Sequence, residues 1–322
     1  MTFRERILIV HDGPHDYVKG LRHRFPDLTI ELCGPDETVP QAITRVDPTI
    51  AFSIRAGRFP GPLHAPLLSA PSLKWFHSGG VGIDHLSHWD TGKLTVTNGS
   101  GVSAKYMAET VTGAILMLNF GFPKYIEDQR QRKWDPQEWT SLDQKTALII
   151  GLGGIGEKVA ERLQSFGMYV IGARNSERPC FSVNEQITTH DLSGTLPRAD
   201  FVCVHVPNTV KTRHLVDREF LSNMKPNAYL INTARGAQVD ENALIDALNF
   251  GQIAGAYLDV FEEEPLPETS SLWDTPNLVI SPHISDSIIG WEEKLVQFFA
   301  GNIERFLNDE PLANICDPGK GY

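Results

Sequence analysis

Apolar and polar positions divide the chain into two series of short strand-like runs. In the first hundred residues the runs are RILIV (6–10), LTIEL (28–32), TIAFSI (49–54), LKWFHS (73–78) and LTVTN (94–98). Polar, proline-punctuated stretches of helix length separate them, which predicts a parallel sheet with crossover helices. The second series is ALIIG (147–151), YVIGA (169–173), FVCVHV (201–206), AYLINT (228–233), AGAYLD (254–259) and LVISP (278–282). These runs lack polar alternation, as strands buried on both faces do. Between them, GIGEKVAERLQSFG and DENALIDALNFG close on glycine, the residue that commonly stands just past a helix end. From Ser103 to about Tyr125, the apolar residues Met107, Val111, Ala114, Ile115 and Leu118 keep helical spacing and predict one long helix, its methionines in the core. A final helix near Ile288 to Leu307 follows the last strand and is expected to return to the first unit. The pattern predicts an α/β chain of two doubly wound parallel-sheet units, 1–99 plus 288–322 and 100–287. A cleft between units joined near residues 99 and 288 has the form of a hinge that closes over a ligand.

Composition supports this division and removes several function classes. At 322 residues the chain has the length of two ordinary domains. With 41% hydrophobic and 21% charged residues and a mean hydropathy of -0.21, it is globular in composition, neither disordered nor membrane-like. No stretch approaches the roughly 18 consecutive apolar residues of a membrane span. MTFRERILIVHDG meets charge too soon for a signal peptide, so a cytoplasmic protein is expected. Cys33, Cys180, Cys203 and Cys316 are scattered without CxxC spacing and read as reduced thiols. His85 and His88 are not completed into a metal site by any cluster at ligand spacing. The formal net charge of -11 argues against nucleic acid and anionic membranes, whose binding needs basic patches. It also means that an anionic substrate has to be held by a local arginine against the overall field.

GLGGIG (151–156) matches G-x-G-x-x-G directly after the apolar strand TALII and at the head of an amphipathic helix, the setting a dinucleotide-binding turn requires. Gly151 permits the tight turn, Gly153 lets the backbone approach a pyrophosphate, and Gly156 lets helix and strand pack closely. The helix start at Gly154 and Ile155 supplies N–H donors and positive dipole for the diphosphate. The second unit therefore reads as a Rossmann domain, with a flavodoxin-like substrate domain as its companion. About 20 residues on, at the end of the next strand, a carboxylate would bind the adenine ribose hydroxyls of NAD. Here that position holds Ala173, Arg174, Asn175 and Ser176. A guanidinium forks onto a 2′-phosphate, with Ser176 as a further donor, so the sequence leans toward NADP. Glu177 is close enough in sequence to rotate back, which keeps NAD open.

Residues 228–240 read AYLINTARGAQVD, 254–268 read AGAYLDVFEEEPLPE, and 277–285 read NLVISPHIS. Each puts a charged or titratable residue just after a buried strand, where open α/β sheets bind ligands. In order and spacing, GLGGIG, NTARG, LDVFEEEPLP and PHIS resemble the D-isomer-specific 2-hydroxyacid dehydrogenase family, which includes glyoxylate/hydroxypyruvate reductases and phosphoglycerate dehydrogenases. The resemblance covers nearly the whole chain, and HSGGVGIDHL (77–86) is similar to the family's substrate-carboxylate loop. It implies that Arg235 holds and polarises a 2-keto acid, its planar fork gripping carboxylate and carbonyl oxygen together. It implies that His283 gives a proton to the carbonyl oxygen as hydride arrives, and takes it back in reverse. It assigns to Glu264 the carboxylate that favours the charged ring and fixes its tautomer, leaving Glu262 and Glu263 as a solvated acidic loop.

The same resemblance gives softer expectations. Backbone N–H groups of Val81 and Gly82 would receive the substrate carboxylate, with Arg55 in SIRAG either approaching the substrate or standing on the surface. Asp259 would accept from the nicotinamide amide, Thr233 and Ala234 would line the nicotinamide, Val206 and Pro207 the adenine side, and Thr212 the ribose region. A homodimer through the second unit is implied, with Trp134 and Trp139 near the contacts or simply in the core. The expected activity is an NADP-preferring reductase of small 2-keto acids of the glyoxylate/hydroxypyruvate type, with D-isomer 2-hydroxy acids as the other side of the reaction. The alternative is a dinucleotide-sensing corepressor or a catalytically idle relative on the same fold.

Overall fold

The structure, a computed structural model, describes residues 5–11, 15–34, 36–54 and 64–319. The chain divides into two compact units, Met1–Val102 with Ile289–Tyr322 and Ser103–Ile288. In chain order the helices are α1 His15–Arg24, α2 Val39–Val46, α3 His64–Leu68, α4 Ala104–Asn119, α5 Phe122–Arg130, α6 Gly154–Ser165, α7 Leu192–Thr195, α8 Arg218–Ser222, α9 Glu241–Asn249 and α10 Trp291–Leu307. Among the described residues no helix is long and apolar enough to cross a membrane.

In unit 1, strands β1 Arg6–Val10, β2 Thr29–Leu32, β3 Ile50–Ser53, β4 Trp75–Ser78 and β5 Thr95–Asn98 form one parallel sheet in the order β2-β1-β3-β4-β5. This is the flavodoxin-like order, reversing direction between β1 and β3. The sheet is buried on both faces: Ile7 to Val10 are fully buried, which explains why their run shows no alternation. Helix α10 supplies Leu295, Val296, Phe299, Ala300 and Ile303 to the core formed by Ile9, Phe52 and Trp75. Phe299 stacks on Phe52 at 4.7 Å between centroids. The tail beyond it bridges β5 through Thr97 and Ile315.

In unit 2, β6 Thr146–Ile150, β7 Tyr169–Ala173, β8 Glu185–Ile187, β9 Phe201–Val204, β10 Tyr229–Asn232, β11 Gly255–Leu258 and β12 Leu278–Ile280 form a parallel sheet in the order β12-β11-β10-β9-β6-β7-β8. The Rossmann switch point lies between β6 and β9. One face packs against α4 and α6 through Val111, Ile115, Val159 and Leu163; the other carries Leu148, Val204, Leu230 and Leu258 against Leu244 and Leu248 of α9.

Two features depart from the sequence pattern. The single helix expected from Ser103 to Tyr125 is two helices, because Gly121 between α4 and α5 takes a left-handed φ of 70°. Pro123, in the first turn of α5, lacks the N–H needed to continue α4, so a new helix starts there. The periodic residues Met107, Val111, Ala114, Ile115 and Leu118 are all buried on α4. Strand β8, only Glu185–Gln186–Ile187, goes unpredicted because a short polar edge strand carries no apolar run.

His77 on β4 is fully buried, its Nδ1 2.7 Å from the Thr97 hydroxyl, which also accepts from the Trp75 indole at 2.8 Å. Burial pushes the ring down from 6.5 to about 3, so it is neutral in the fold. An unfolded chain binds this proton near 6.5, so stability is lost as pH falls below about 6.5, by about 1.4 kcal/mol per pH unit from this group, down to about 3. Denaturant unfolding between about pH 7 and about pH 5 should therefore show a shallower loss for His77→Phe than for the parent. Identical slopes would remove His77 from the acid sensitivity.

Candidate active site

Strand β6 turns into α6 through Gly151, Leu152 and Gly153. Gly151 has a left-handed φ of 101°, and a Cβ there would stand 2.5 Å from the His205 carbonyl oxygen, so conformation and space both demand glycine. At Gly156 a Cβ would meet the Gly151 carbonyl oxygen at 2.0 Å. Gly153 differs, since a Cβ there meets nothing within 4 Å. The folded chain itself does not require a glycine at that position. Leu152 is buried against Gly172 of β7, where a Cβ would approach it to 2.6 Å, and this anchors the turn on the sheet. Helix α6 begins at Gly154, so the N–H groups of Gly154, Ile155 and Gly156 have no intrahelical acceptor.

After β7, the Arg174 guanidinium lies back over this turn. Nη2 donates to the Leu152 carbonyl and to Glu157 Oε1 at 3.2 Å, and Nη1 donates to the Arg178 carbonyl at 3.2 Å. The Asn175 side-chain oxygen accepts from the Thr189 N–H and hydroxyl at 3.1 and 2.7 Å. Ser176 and Glu177 are exposed.

Strands β10, β11 and β12 are parallel neighbours, so the residues after Asn232, Leu258 and Ile280 emerge side by side. These are Thr233 to Arg235, Asp259 to Glu264, and Ser281 to His283. The first two segments interlock through backbone. A Cβ on Gly236 would lie 1.8 Å from the Phe261 carbonyl carbon and 2.3 Å from the Glu262 nitrogen, so the segment carrying Arg235 presses on the one carrying Glu264. Glu264 Oε1 accepts from the Phe261 N–H at 3.1 Å, and Oε2 lies 2.6 Å from His283 Nδ1. A carboxylate only accepts, so Nδ1 carries the proton of this bond and Nε2 is the ring nitrogen left to exchange one. Glu262 turns away to His214, at 2.5 Å, and Glu263 is exposed.

His283 has a φ of 51°, an uncommon conformation for a residue with a Cβ. Asp259 holds the segment around it. Its fully buried carboxylate accepts from the Ser281 hydroxyl at 2.5 Å and the Ile284 N–H at 3.0 Å on Oδ1, and from the Ser285 N–H at 2.9 Å on Oδ2. A bond from a nicotinamide amide would have to use the lone pair that remains on Oδ2. Arg235 is half-buried, its Nη1 donating to the Ala234 carbonyl at 2.7 Å and its backbone N–H to Gln238 Oε1 at 3.0 Å. Gln238 in turn donates to the Val206 carbonyl at 2.7 Å, tying the end of β10 to the end of β9. The Thr212 hydroxyl donates to the Pro207 carbonyl at 2.6 Å and accepts from the Thr209 N–H at 2.8 Å, which fastens that turn.

In unit 1, the Val81 carbonyl accepts from the Asn98 side chain at 2.6 Å, and Gly79 and Gly99 pack so closely that a Cβ on Gly99 would stand 2.6 Å from the Gly79 oxygen. The N–H groups of Val81 and Gly82 donate to no acceptor among the described residues. Arg55 lies outside the described residues.

Sequence reasoning passed over His205, Gln238, Ser281 and Glu157, because each looks ordinary until its neighbours are known. His205, just past β9, is half-buried with both ring nitrogens shielded from solvent and unpartnered, and desolvation pushes it down from 6.5 to about 4. The Thr233 hydroxyl, just past β10, is also buried and unpartnered. Buried polar groups are normally bonded, so both leave hydrogen-bonding capacity for a bound group beside the switch point. Together with the open space at Gly153, these residues fit a dinucleotide lying across the ends of β6, β9 and β10.

The chain is similar to known proteins over most of its length. Residues 112–285 match the family described as D-isomer specific 2-hydroxyacid dehydrogenase, NAD binding domain. A glyoxylate reductase of Thermofilum pendens is 37% identical over 75% of this chain and 74% of its own. A D-isomer specific 2-hydroxyacid dehydrogenase from Xanthobacter autotrophicus Py2, solved with NADPH and MES, superposes with a TM-score of 0.83 at 28% identity over 99% of this chain and 100% of that one. The NADPH-dependent glyoxylate/hydroxypyruvate reductase of Sinorhizobium meliloti, solved with NADP and sulfate, gives 0.83 at 26% identity over 99% and 100%.

The contrast between Gly153 and Gly156 yields a direct test. Gly153→Ala should leave stability within about 0.5 kcal/mol and weaken dinucleotide binding at least about tenfold. Gly156→Ala should cost about 1–3 kcal/mol of stability by forcing helix and turn apart. Denaturant melts with fluorescence titration separate the two effects; unchanged dinucleotide affinity in Gly153→Ala would mean that the open space is not the cradle.

Proposed function

The chain belongs to the D-isomer specific 2-hydroxyacid dehydrogenase family, and on that premise we propose that it reduces small 2-keto acids of the glyoxylate and hydroxypyruvate type, preferring NADPH. The observation that carries the reading is the convergence of Arg235, Glu264 and His283 on the ends of three adjacent parallel strands, with Glu264 Oε2 2.6 Å from His283 Nδ1. Bound on the phosphate turn, NADPH supplies the hydride. Arg235 grips the substrate carboxylate and carbonyl oxygen and draws electron density toward that oxygen. His283 would give its Nε2 proton to the carbonyl oxygen, and this proton together with the cofactor's hydride at the carbonyl carbon would convert the keto acid to the hydroxy acid, leaving oxidised cofactor. Glu264, fixed by the Phe261 N–H, holds the ring by Nδ1 and so leaves Nε2 as the nitrogen that exchanges the proton.

Other residues take supporting roles in the same proposal. Gly151, Gly153, Gly154, Ile155 and Gly156 take the diphosphate, Arg174, Asn175 and Ser176 the adenine ribose end, Val206 and Pro207 the adenine side, and Thr212 the ribose region. Thr233 and Ala234 line the nicotinamide. Asp259 acts chiefly by holding the His283 segment. In unit 1, Val81 and Gly82 offer two N–H donors suited to a carboxylate. A homodimer through unit 2 is supported by the exposed apolar side chains Phe122, Ile126, Trp134 and Trp139.

Loss of NADPH absorbance with glyoxylate and hydroxypyruvate tests the activity; tight NADPH binding without turnover of any 2-keto acid would favour a dinucleotide sensor instead. Glu264→Gln should lower kcat by at least about tenfold, because a neutral amide bonds Nδ1 more weakly and no longer fixes which ring nitrogen carries the proton; an unchanged kcat would exclude Glu264 from the mechanism. Arg235→Lys should lower kcat/KM by at least about a hundredfold, since an ammonium cannot make the two-pronged grip. Sedimentation of the parent and of Trp134→Glu should show a dimer that the charge weakens, and a monomeric parent would dispose of the assembly.

A further inference from the structure

A charged cluster that the hydride and proton chemistry leaves unused stands beside the phosphate turn. Glu157 follows Gly156 directly, in the first turn of α6. Its Oε1 lies 3.2 Å from Arg174 Nη2 and 3.1 Å from Arg178 Nη2, and its Oε2 lies 3.2 Å from Arg178. The Arg174 side chain is 10% exposed, that of Glu157 23% and that of Arg178 69%. Arg174 is further held by the carbonyls of Leu152 and Arg178. The guanidinium that a 2′-phosphate needs is thus already paired with a carboxylate of the chain itself.

We propose that Glu157 is a specificity-determining residue: its carboxylate acts as an internal anion that competes with the 2′-phosphate of NADP(H) for Arg174 and Arg178, and so limits discrimination between NADP(H) and NAD(H). The proposal rests on the reading of Arg174 as the residue facing the adenine ribose. Two guanidinium groups and one carboxylate leave a local charge of about +1, whereas a phosphate monoester brings about -1.5 to -2. Without the carboxylate the pair offers about +2, and the Arg174 fork is free for a two-pronged bond. NAD(H) brings no charge to this place, so its affinity responds little to the same change. The cluster is partly buried, which keeps the competition from being fully screened by salt.

Equilibrium titration of the full chain and of Glu157→Gln with NADPH, NADH, 2′,5′-ADP and 5′-AMP tests this without reference to turnover. The Kd for NADPH and 2′,5′-ADP should fall about tenfold in the variant, while those for NADH and 5′-AMP stay within about twofold. Arg178→Met should weaken NADPH and leave NADH unchanged. Glu157→Asp, which keeps the charge one methylene further back, should fall between parent and Glu157→Gln; thermal melts check that each variant is folded. If Glu157→Gln leaves the NADPH to NADH affinity ratio unchanged, or lowers it, the carboxylate merely supports Arg174 and the proposal is overturned. The readout is the change in ratio between variant and parent. A parent that binds NADH more tightly would defeat the NADP preference, while Glu157 would still be judged by that change.

Discussion

A sheet covered by helices on both faces leaves polar side chains one place to act, the ends of its strands, and this constraint organises unit 2. Ile149, Cys203, Ile231 and Tyr257 carry apolar surface into one core, and Leu148, Val202, Leu230 and Leu258 into the other. Chemistry is thereby confined to the segments that leave the strands at their carboxyl ends. Parallel alignment then puts all such segments on one side, with the glycine turn after β6 and Arg235, Glu264 and His283 after β10, β11 and β12. The same logic in unit 1 puts the Gly79–Gly82 loop after β4.

Strand ends alone do not fix side chains to catalytic tolerance, and the structure adds two devices. One is contact between backbones at Gly236, where any side chain would overlap Phe261 and Glu262. The other is Asp259, a fully buried carboxylate that gathers the Ser281 hydroxyl and two backbone N–H groups around the His283 segment. Charge-assisted bonds of this kind are stronger than neutral ones and cost much to leave unmade, so the segment is held rigidly although His283 takes a left-handed φ. Glu264 depends on both devices, because its own bond to the Phe261 N–H fixes the carboxylate that His283 meets.

At the other end of the site the arrangement is less committed. Arg174 is the residue whose identity separates this chain from one with a carboxylate at the strand end, yet the fold gives it a carboxylate from α6 instead. If Glu157 competes for Arg174 as proposed, the choice between cofactors depends on a balance of charges and not on the presence of one arginine.

The sequence determined a good deal by itself. Apolar runs located eleven of the strands, because a doubly buried strand cannot hide its composition. Glycine spacing located the tight turn between β6 and α6, because backbone conformation and close approach at Gly151 and Gly156 are local demands. The order of motifs pointed to Arg235, Glu264 and His283. The polar edge strand β8 and the break at Gly121 were not legible in the periodicity, since one has no apolar face and the other interrupts a pattern that continues on either side. The motif order already paired Glu264 with His283, but only the tertiary structure decided the other partners: that Asp259 serves Ile284 and Ser285 over 25 and 26 residues, and that Glu157 takes Arg174 over 17. These bonds depend on which strands lie next to each other and how their loops lean, and strand order is set by packing of the whole sheet, which no single segment of sequence encodes.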